Sequence, residues 1–498
     1  MMVAMSEHLD VLIVGAGLSG IGAARHLQAE CPGRSFAILE ARAASGGTWD
    51  LFRYPGIRSD SDMFTLGYGF RPWTQARSIA DGPSILDYIR ETAEEAGIDE
   101  RIRFHHRVVR ASWSSADDRW TVTAQRTDTG EEVTLTCGFL LMCSGYYRYD
   151  RGHTPEFPGA ERFGGQIVHP QFWTDDVEYA GKRVVVIGSG ATAVTLVPAL
   201  AAGGAEHVTM LQRSPTYILS VPGRDPLADL LRGVLPQRVA YPLVRWKNVL
   251  LSAALFQLCR RAPGLMRRVL RRGVQHQLEG WDLEPDFVPR YEPWDQRLCL
   301  VPDGDLFRTL RDGRASVVTG EIDEFTATGI RLRSGEELPA DLIVTATGLE
   351  LLLLGGAEVE VDGELVDFPQ TLAYKGMMFS DVPNLAAAIG YTNASWTLKA
   401  DLVSAYVCRL LNHMADHGYT RCVPRNDDPA MPTEPFLALT AGYVTRAADS
   451  FPRQGEEDPW RLNQNYLRDV TVLRWGPIED GVIEFGRAAV PAGAAAPA

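Results

Sequence analysis

Cysteines are few in this sequence, and none stands close to another. The seven of them are scattered between Cys31 and Cys422, and no two are separated by two or four residues. Closely spaced cysteines are what a paired-thiol redox centre or a cysteine-rich zinc site requires. An odd number of scattered cysteines is typical of a reducing compartment. The sequence therefore predicts neither kind of site, and we expect no metal.

Long apolar runs are also missing. No stretch provides the roughly 20 consecutive apolar residues that a membrane-spanning helix needs. The first residues, MMVAMSEHLDVLIVG, lack a basic segment and lead directly into a strand pattern, so no secretory signal is indicated. We therefore expect a cytoplasmic protein. Its last residues, 489–498 (AVPAGAAAPA), have the composition of a disordered tail.

Positive charge is scarce over the whole chain. The formal net charge is -14, and a uniformly acidic surface repels a phosphate backbone, so nucleic acid is not expected as a partner. With 498 residues and 45% hydrophobic content, the chain is long enough for roughly two to four domains with cores of their own. Nothing in it indicates an obligate protein partner.

A glycine-rich turn follows the first strand pattern. Residues 10–14 are apolar and end in GAGLSG, which contains Gly15, Gly17 and Gly20 and leads into a helical pattern. In a βαβ unit such glycines let a pyrophosphate approach the helix N-terminus. The next strand ends in Glu40, 25 positions after Gly15, and its carboxylate can accept a hydrogen bond from a ribose 2'-hydroxyl. This pattern predicts an FAD site.

The same arrangement returns in KRVVVIGSGATAVTLVPAL. Gly188 and Gly190 open the turn, and Ala193 stands where a third glycine would be. The following strand is succeeded by Arg213, again 25 positions after the first glycine, so a cation replaces the acid. A cation suits a ribose 2'-phosphate, and the second unit therefore predicts an NADP site. Two units with opposite charges at matched positions argue against a merely structural role for the glycines.

Two further apolar strands end in glycine turns, near Gly145 and Gly348, where the chain could cross between the two units. The predicted fold class is α/β, with two Rossmann-like dinucleotide-binding domains and a helical insertion. The FAD domain is expected to be discontinuous, at 1–150 and 346–488. The NADP domain inserted into it would comprise 151–223, with a linker motif at its start, and 286–345. The helical insertion would occupy 224–285.

The insertion carries an unusual charge pattern. Between residues 231 and 272 there are ten Lys or Arg and no acid. On a helical wheel Leu265, Met266, Val269 and Leu270 fall on one side and four arginines on the other. Two interpretations remain open, a cover of the active site with a solvated basic face and a peripheral contact with an anionic membrane. The sequence favours the first.

Two long motifs narrow the chemistry. GGTWDLFRYPGIRSD, residues 46–60, combines close-approach glycines, an aromatic surface and a Tyr-Pro-Gly turn. FGGQIVHPQFW lies on the segment joining the two glycine units, and its fixed positions are Phe163, Gly165, His169 and Trp173. Together the motifs resemble the double fingerprint of the flavin-dependent, FAD- and NADPH-using Baeyer-Villiger monooxygenases. One position departs from that family's pattern, because Thr174 stands where Pro or Asp is usual.

The resemblance implies a reaction. NADPH would reduce FAD, and O2 would then form a C4a-peroxyflavin that inserts oxygen next to a ketone carbonyl, giving an ester or lactone. The same species would oxidise the sulfur of sulfides or thioamides, and the substrate is expected to be small and apolar. In the family an arginine matching Arg297 stabilises the anionic peroxide, and Asp60 would orient it. Such a pair could equally be an ordinary buried salt bridge.

The resemblance also assigns roles to the remaining motif residues. The linker would set and change the angle between the two domains, with Gly165 as a hinge, Phe163 and Trp173 as anchors and His169 as a structural polar contact. A helix opening near Thr397 would point its N-terminus at the flavin. Residues expected to bind FAD or NADP are Gly15, Gly17, Ser19, Gly20, Glu40, Gly47, Thr48, Trp49, Asp50, Leu51, Arg58, Ser59, Asp60, Val108, Gly188, Ser189, Gly190, Ala191, Thr192, Ala193, Gln212 and Arg213.

Other functions share parts of this pattern. A flavin N- or S-oxygenase without Baeyer-Villiger activity would use the same two cofactors. A flavoprotein reductase shares the two nucleotide domains but would want a paired-thiol centre or an iron-sulfur partner, and the cysteine spacing counts against it. A redox sensor working through the basic helices would not need Arg297.

Overall fold

A computed structural model describes residues 7–437 and 439–487; the predicted tail, 489–498, lies outside them. Strands of the first part of the chain are β1 (His8–Val14), β2 (Phe36–Leu39), β3 (Ile102–Arg103), β4 (His106–Ser114), β5 (Arg119–Arg126) and β6 (Glu132–Met142). The middle part contributes β7 (Gln166–Val168), β8 (Arg183–Ile187), β9 (His207–Gln212), β10 (Ile218–Val221), β11 (Cys299–Pro302), β12 (Ala315–Thr319), β13 (Ile322–Thr326), β14 (Gly329–Leu332), β15 (Glu337–Pro339) and β16 (Leu342–Thr345). The last part contributes β17 (Glu358–Val361), β18 (Glu364–Leu365), β19 (Ala373–Tyr374), β20 (Met378–Phe379), β21 (Leu385–Ala387), β22 (Arg421–Pro424), β23 (Thr433–Pro435), β24 (Arg453–Gly455) and β25 (Ile483–Gly486).

Twelve α-helices of the described residues lie between these strands, some of them in succession. They are α1 (Leu18–Glu30), α2 (Thr48–Leu51), α3 (Met63–Leu66), α4 (Gly82–Glu95), α5 (Ala191–Ala202), α6 (Pro226–Val234), α7 (Gln237–Arg261), α8 (Pro263–Gln277), α9 (Asp305–Arg311), α10 (Trp396–His417), α11 (Gly442–Ala447) and α12 (Tyr466–Asp469).

The first sheet takes strands from both ends of the chain. Its order is β18-β17-β4-β5-β6-β1-β2-β3, and β21 also pairs with β6. β1 is parallel to β2 and β6, with Val14 opposite Leu39 and Met142, so all three strands end at one edge. Helices α1 and α10 pack against each other beside it. Strands buried on both faces in this way are continuously apolar, as residues 11–14 are.

The second sheet is entirely parallel. Its order is β12-β9-β8-β16-β7, and every strand comes from the middle of the chain. Ile187 lies opposite Leu211 and Thr345, so β8, β9 and β16 also end at one edge. The predicted α/β class with two Rossmann-like units is confirmed. The individual domain boundaries stay predictions.

The predicted helical insertion consists of α6, α7 and α8. Of the four apolar residues that fall on one side of the α8 wheel, two are buried and two are exposed. Met266, Leu270 and Val274 are buried, whereas Leu265 and Val269 are about half exposed. Within the described ranges, no helix is both long enough and apolar enough to cross a membrane.

Candidate functional site

A cavity of about 1400 Å³ is bordered by the glycine turns that follow β1 and β8. The predicted residues that line it are Gly15, Gly17, Ser19, Glu40, Gly47, Thr48, Trp49, Arg58, Asp60, Val108, His169, Gly188, Ser189, Gly190, Ala191, Thr192, Arg213 and Arg297. The predicted residues outside its lining are Gly20, Asp50, Leu51, Ser59, Phe163, Gly165, Trp173, Ala193 and Gln212. The structure thus brings most of the predicted site together around one space.

The first glycine turn has no room for a side chain at two of its three glycines. Gly15 has φ +104°, and a Cβ there would lie 2.6 Å from the carbonyl oxygen of Cys143. A Cβ on Gly20 would lie 1.8 Å from the Gly15 oxygen, so this glycine serves helix packing. Gly17 faces the loop glycine Gly47, and a Cβ on Gly17 would lie 3.5 Å from the Gly47 Cα. The backbone therefore presents bare amides at the start of α1.

Glu40 is fixed at the edge of the first sheet. One carboxylate oxygen accepts from the backbone N–H of Ala16 at 2.7 Å and the other from that of Arg42 at 2.9 Å. Burial raises the pKa of this carboxyl group, and the two backbone donors oppose that effect. Each oxygen keeps a further lone pair, which suits a ribose hydroxyl. Val108, on β4, lines the same end of the cavity.

The loop after Glu40 is held by a buried carboxylate. Asp50 forms ion pairs with Arg42 and with Arg90, the latter at 2.8 Å. Burial alone would raise the pKa of Asp50, but these guanidinium groups hold it below its usual range. The Asp50 side chain therefore lies outside the cavity and holds the loop in place. Thr48 lines the cavity, and its hydroxyl lies 3.3 Å from the hydroxyl of Tyr149.

The second glycine turn has one tight and one open position. Gly188 has φ +132°, and a Cβ there would lie 2.3 Å from the carbonyl oxygen of Ala346. A Cβ on Gly190 would meet nothing within 4 Å, so the space in front of it is free for a ligand. Ser189 ties the turn to the next loop, because its Oγ lies 2.8 Å from Oγ1 of Thr216.

The side chains of Arg213 and Gln212 point in different directions. Arg213 is exposed and lines the cavity beside the second glycine turn. Gln212 is 2% exposed, and its amide donates to the carbonyl of Asp286 at 2.7 Å and to Oγ1 of Thr319 at 2.9 Å. Its side chain points away from the cavity and cannot bind a 2'-phosphate from there. Arg213 alone of the two keeps that predicted position.

The donor set fits both dinucleotides. The first turn combines bare amides with the acid Glu40, and the second combines an open glycine with the cation Arg213. An acid at the ribose position suits FAD, and a cation suits the 2'-phosphate of NADP. FAD would be held by the first sheet edge and NADP by the second.

Arg297 and Asp60 meet in the cavity between these edges. A guanidinium nitrogen of Arg297 lies 3.1 Å from a carboxylate oxygen of Asp60. Their side chains remain 33% and 43% exposed, so both face the cavity and do not form a fully buried salt bridge. Asp60 raises the pKa of Arg297 above its ordinary range, and burial opposes it. The cation is therefore permanent and accessible.

The turn that presents Asp60 is anchored to the second unit. Gly56 packs so closely on α5 that a Cβ there would lie 2.6 Å from that of Ala199. Arg58 lines the cavity, but its guanidinium is ion-paired with Asp305 on α9. The Oγ of Ser59 donates to the carbonyl of Ser61 and does not face the cavity.

The linker motif forms part of the second sheet. Residues after Gly165 form β7, the edge strand beside β16. Gly165 is required by a close approach, because a Cβ would lie 2.4 Å from the carbonyl oxygen of Asp341. Phe163 and Trp173 are buried, as expected of anchors. Thr174 is the residue that departs from the family's pattern. Its carbonyl accepts from the N–H of Val177 at 3.2 Å, so Thr174 begins a turn.

His169 holds the linker to the crossing at Gly348. Its Nε2 lies 3.2 Å from the carbonyl oxygen of Gly348, and its Nδ1 accepts from the N–H of Gln171. Burial lowers the pKa of the ring, and the neutral form fits both contacts. Gln171 donates to the carbonyls of Arg148 and Tyr149, at the other crossing.

Several cavity residues were not predicted. Tyr146, Tyr147 and Tyr443 lie close enough to Arg297 to perturb its pKa, and all three line the cavity. Tyr146 and Tyr147 directly follow the glycine turn at Gly145, and that position was the available signal. No local pattern points to Tyr443.

The helix expected near Thr397 begins at Trp396. The indole N–H of Trp396 donates to Oγ of Ser19 at 2.7 Å, and Trp396 lines the cavity. Thr397 is fully buried and bonds to the carbonyl of Leu66. The N-terminus of α10 therefore lies beside the first glycine turn.

A group outside the cavity could bind metal. His413 and His417, near the end of α10, and Glu479 place three ligand atoms within 4.8 Å of one another. The sequence predicted no metal site, and the cavity does not include these residues.

Comparisons with known proteins agree with this site. A family model described as Flavin-binding monooxygenase-like matches residues 79–229, and one described as NAD(P)-binding Rossmann-like domain matches residues 13–90. The chain is 58% identical to the FAD-containing monooxygenase EthA of Mycobacterium tuberculosis, over 98% of this chain and 100% of the relative.

Two solved structures share the fold. An oxidised steroid monooxygenase bound to NADP is 24% identical, with a TM-score of 0.74 over 96% of this chain and 100% of that chain. The polycyclic ketone monooxygenase of Thermothelomyces thermophila is 16% identical, with a TM-score of 0.77 over 98% of this chain and 91% of that chain. At these identities the likeness supports the fold alone.

Proposed function

This chain belongs to the FAD-containing monooxygenases, and from that premise we propose that it inserts oxygen from O2 next to a ketone carbonyl and oxidises the sulfur of sulfides or thioamides. The enzyme class and the cofactors FAD and NADPH, predicted from the two motifs, are confirmed by the family. The oxygen-transfer route that the resemblance implies stays a prediction.

The observation that carries the proposal is the Arg297–Asp60 pair. It lies in the cavity between the two glycine turns, with a permanent cation facing the space. When bound, FAD reduced by NADPH supplies the activation of O2. A fixed guanidinium stabilises negative charge that develops on oxygen, and Asp60 keeps it in one orientation. Removing one such preorganised group typically costs about 100- to 1000-fold in rate.

The surroundings of Arg297 support a small, largely apolar substrate. Leu298, Leu300 and Leu352 also line this cavity. Apolar side chains beside a few polar groups, here Arg297 and Asp60, suit a small apolar compound with one carbonyl or thiocarbonyl group.

Burial of the cysteines argues against a thiol-dependent reductase. All seven cysteines are free and buried. Cys143 and Cys299 line the cavity, but burial raises the pKa of each thiol to about 12. A neutral thiol is a poor nucleophile at physiological pH. A flavin oxygenase restricted to sulfur or nitrogen remains the second candidate, and it would give sulfoxide but no ester.

The test compares three variants on one cyclic ketone and one thioamide. We expect Arg297→Ala to lose at least about 100-fold in product formation while FAD stays bound. Asp60→Ala should lose less, because the cation remains. The control is Arg183→Ala, which breaks the Arg183–Asp341 pair at 2.7 Å outside the cavity. Undiminished ester formation by Arg297→Ala would refute the proposal, and sulfoxide without any ester from the wild type would favour the second candidate.

A further inference from the structure

The outward face of α7 is apolar, which is the reverse of an ordinary surface helix. Its exposed apolar residues follow one another at intervals of three or four positions, and each large one is at least 43% exposed. They are Val239, Leu243, Trp246, Leu250, Ala254 and Leu258. Residues at this spacing form one stripe along a helix. We call this set the outer stripe.

The outer stripe is not needed to attach α7 to the protein. The opposite face of the helix is already packed, through Tyr241, Val244, Arg245 and Val249. Arg245 alone donates to the carbonyls of two residues in the segment around α3. The outer stripe is therefore not required for the fold. Large exposed apolar patches often mark contact surfaces.

The neighbouring helices also expose apolar residues. Leu227, Leu230 and Val234 on α6 are exposed, as are Leu265 and Val269 on α8. Of the 18 large hydrophobic residues exposed in the described ranges, 11 fall within residues 227–269. Exposed apolar residues are usually scattered singly over a protein surface, so this concentration is unusual.

The charge of these helices favours one kind of binding partner. The chain carries a net charge of -14, yet residues 231–272 contain ten Lys or Arg and no acid. Five exposed arginines there pair with no carboxylate of the described chain, namely Arg238, Arg261, Arg268, Arg271 and Arg272. A second copy of the chain would bring like charges together. Apolar residues flanked by unpaired cations suit anionic lipid headgroups above acyl chains.

We propose that α6, α7 and α8 dock in the plane of an anionic lipid bilayer, with the outer stripe inserted at the level of the acyl chains. Trp246 lies in the middle of the stripe, and tryptophan favours the membrane interface. The contact is peripheral, because no described helix can cross a bilayer. The sequence favoured a solvated cover, and this proposal takes the other of the two interpretations.

The inner side of these helices packs against residues that line the cavity. Val249 of α7 packs with Tyr391, which lines the cavity. Met266 and Leu270 of α8 pack with Leu298, the residue after Arg297. The insertion thus lies between the bilayer and the cavity. Resting on the proposed function, we infer that the substrate is an apolar ketone or thiocarbonyl compound dissolved in the lipid phase.

Binding is tested with the full-length, FAD-loaded protein and two kinds of vesicle, phosphatidylcholine alone and phosphatidylcholine mixed with phosphatidylglycerol. Wild type is expected to sediment with the anionic vesicles and much less with the neutral ones. Leu243→Gln with Leu250→Gln should weaken binding about tenfold or more. Arg268→Gln with Arg271→Gln should weaken it less and make it less sensitive to salt. The controls are Leu365→Gln, which replaces an exposed leucine outside these helices, and Arg461→Gln.

Two results would overturn the docking. One is wild type that stays in the supernatant with both vesicle types. The other is a dimer that the leucine variants dissolve, while vesicle binding is absent. Bound FAD absorbance verifies folding of each variant. Oxygenation of a water-soluble ketone without vesicles should equal wild type in the leucine variants, so failure of the proposed function appears in that assay and failure of docking in the other.

Discussion

A single exposed guanidinium distinguishes the second dinucleotide site from the first. Arg213 lines the cavity where the first unit has Glu40. We expect Arg213→Ala to weaken NADPH binding about 10- to 100-fold, because a charge-assisted hydrogen bond contributes roughly 1.5–3 kcal/mol. NADH lacks the 2'-phosphate, so its binding should change little. Titration of both nucleotides with the FAD-loaded protein checks this difference.

The control for that measurement is Arg314→Ala, which removes an exposed arginine paired with Asp312 at 3.0 Å. It should leave the preference for NADPH unchanged. Equal weakening of NADPH and NADH by Arg213→Ala would contradict the assignment of the second turn.

Gln212 shows why the sequence predicted Arg213 but misplaced its neighbour. The glycine spacing identifies where β9 ends, and the charge at its end can be read directly. The direction of the Gln212 side chain is set by Asp286 and Thr319, which follow it by 74 and 107 positions. Partners so distant in sequence leave no local pattern. Tyr443 was missed for the same reason.

Helices α1 and α10 are joined by a buried titratable group. Nδ1 of His26 lies 2.7 Å from Glu30, and its Nε2 lies 3.7 Å from Asp401 of α10. Burial alone would lower the pKa of His26, but the two carboxylates raise it to about 9. A raised pKa stabilises the fold fully below the unfolded value of about 6.5, and the contribution is lost as pH rises through about 9.

Between pH 6 and 9.5 the free energy of unfolding of the wild type should therefore fall by on the order of 1–3 kcal/mol. The variant His26→Gln should not show this fall. Thermal unfolding across this range measures the difference as a fall in Tm. His276→Gln is the control, since its side chain is 80% exposed on α8. A pH profile of His26→Gln that parallels wild type would exclude this role.

The helical insertion shows how far a sequence pattern can predict the structure of whole elements. The sequence predicted a helical insertion at 224–285 from its composition and charge, but not how many helices it contains. The face that α7 presents to solvent could not be predicted either, because apolar residues occur on both sides of this helix. Which side packs inward depends on contacts such as that of Tyr241 with Phe64 and Tyr68, far away in sequence. A helical wheel does not show which apolar residues face the core, and on α8 Leu265 and Val269 are exposed although Met266 and Leu270 are buried.

The whole molecule depends on how its two sheets are held relative to each other. The chain crosses between them twice, near Tyr149 and near Gly348, and the linker contacts both crossings through Gln171 and His169. Each crossing lies beside a glycine turn of the cavity, and we propose that the linker fixes the distance between the two nucleotide sites. Transfer from one nucleotide to the other tolerates little misplacement.

We expect His169→Ala to loosen this clamp without removing any cavity donor that holds FAD. NADPH consumption should continue, while the share of it that yields oxygenated product falls several-fold and hydrogen peroxide rises in step. Gln171→Ala should act in the same direction, because it releases the other crossing. His207→Ala is the control, since this histidine bonds to Ser316 at 2.9 Å within the second sheet and does not contact the linker. Equal coupling in all four proteins would mean that the linker only covers the cavity, and the alignment of the two sheets would then have to come from the Gly56 turn packed on α5.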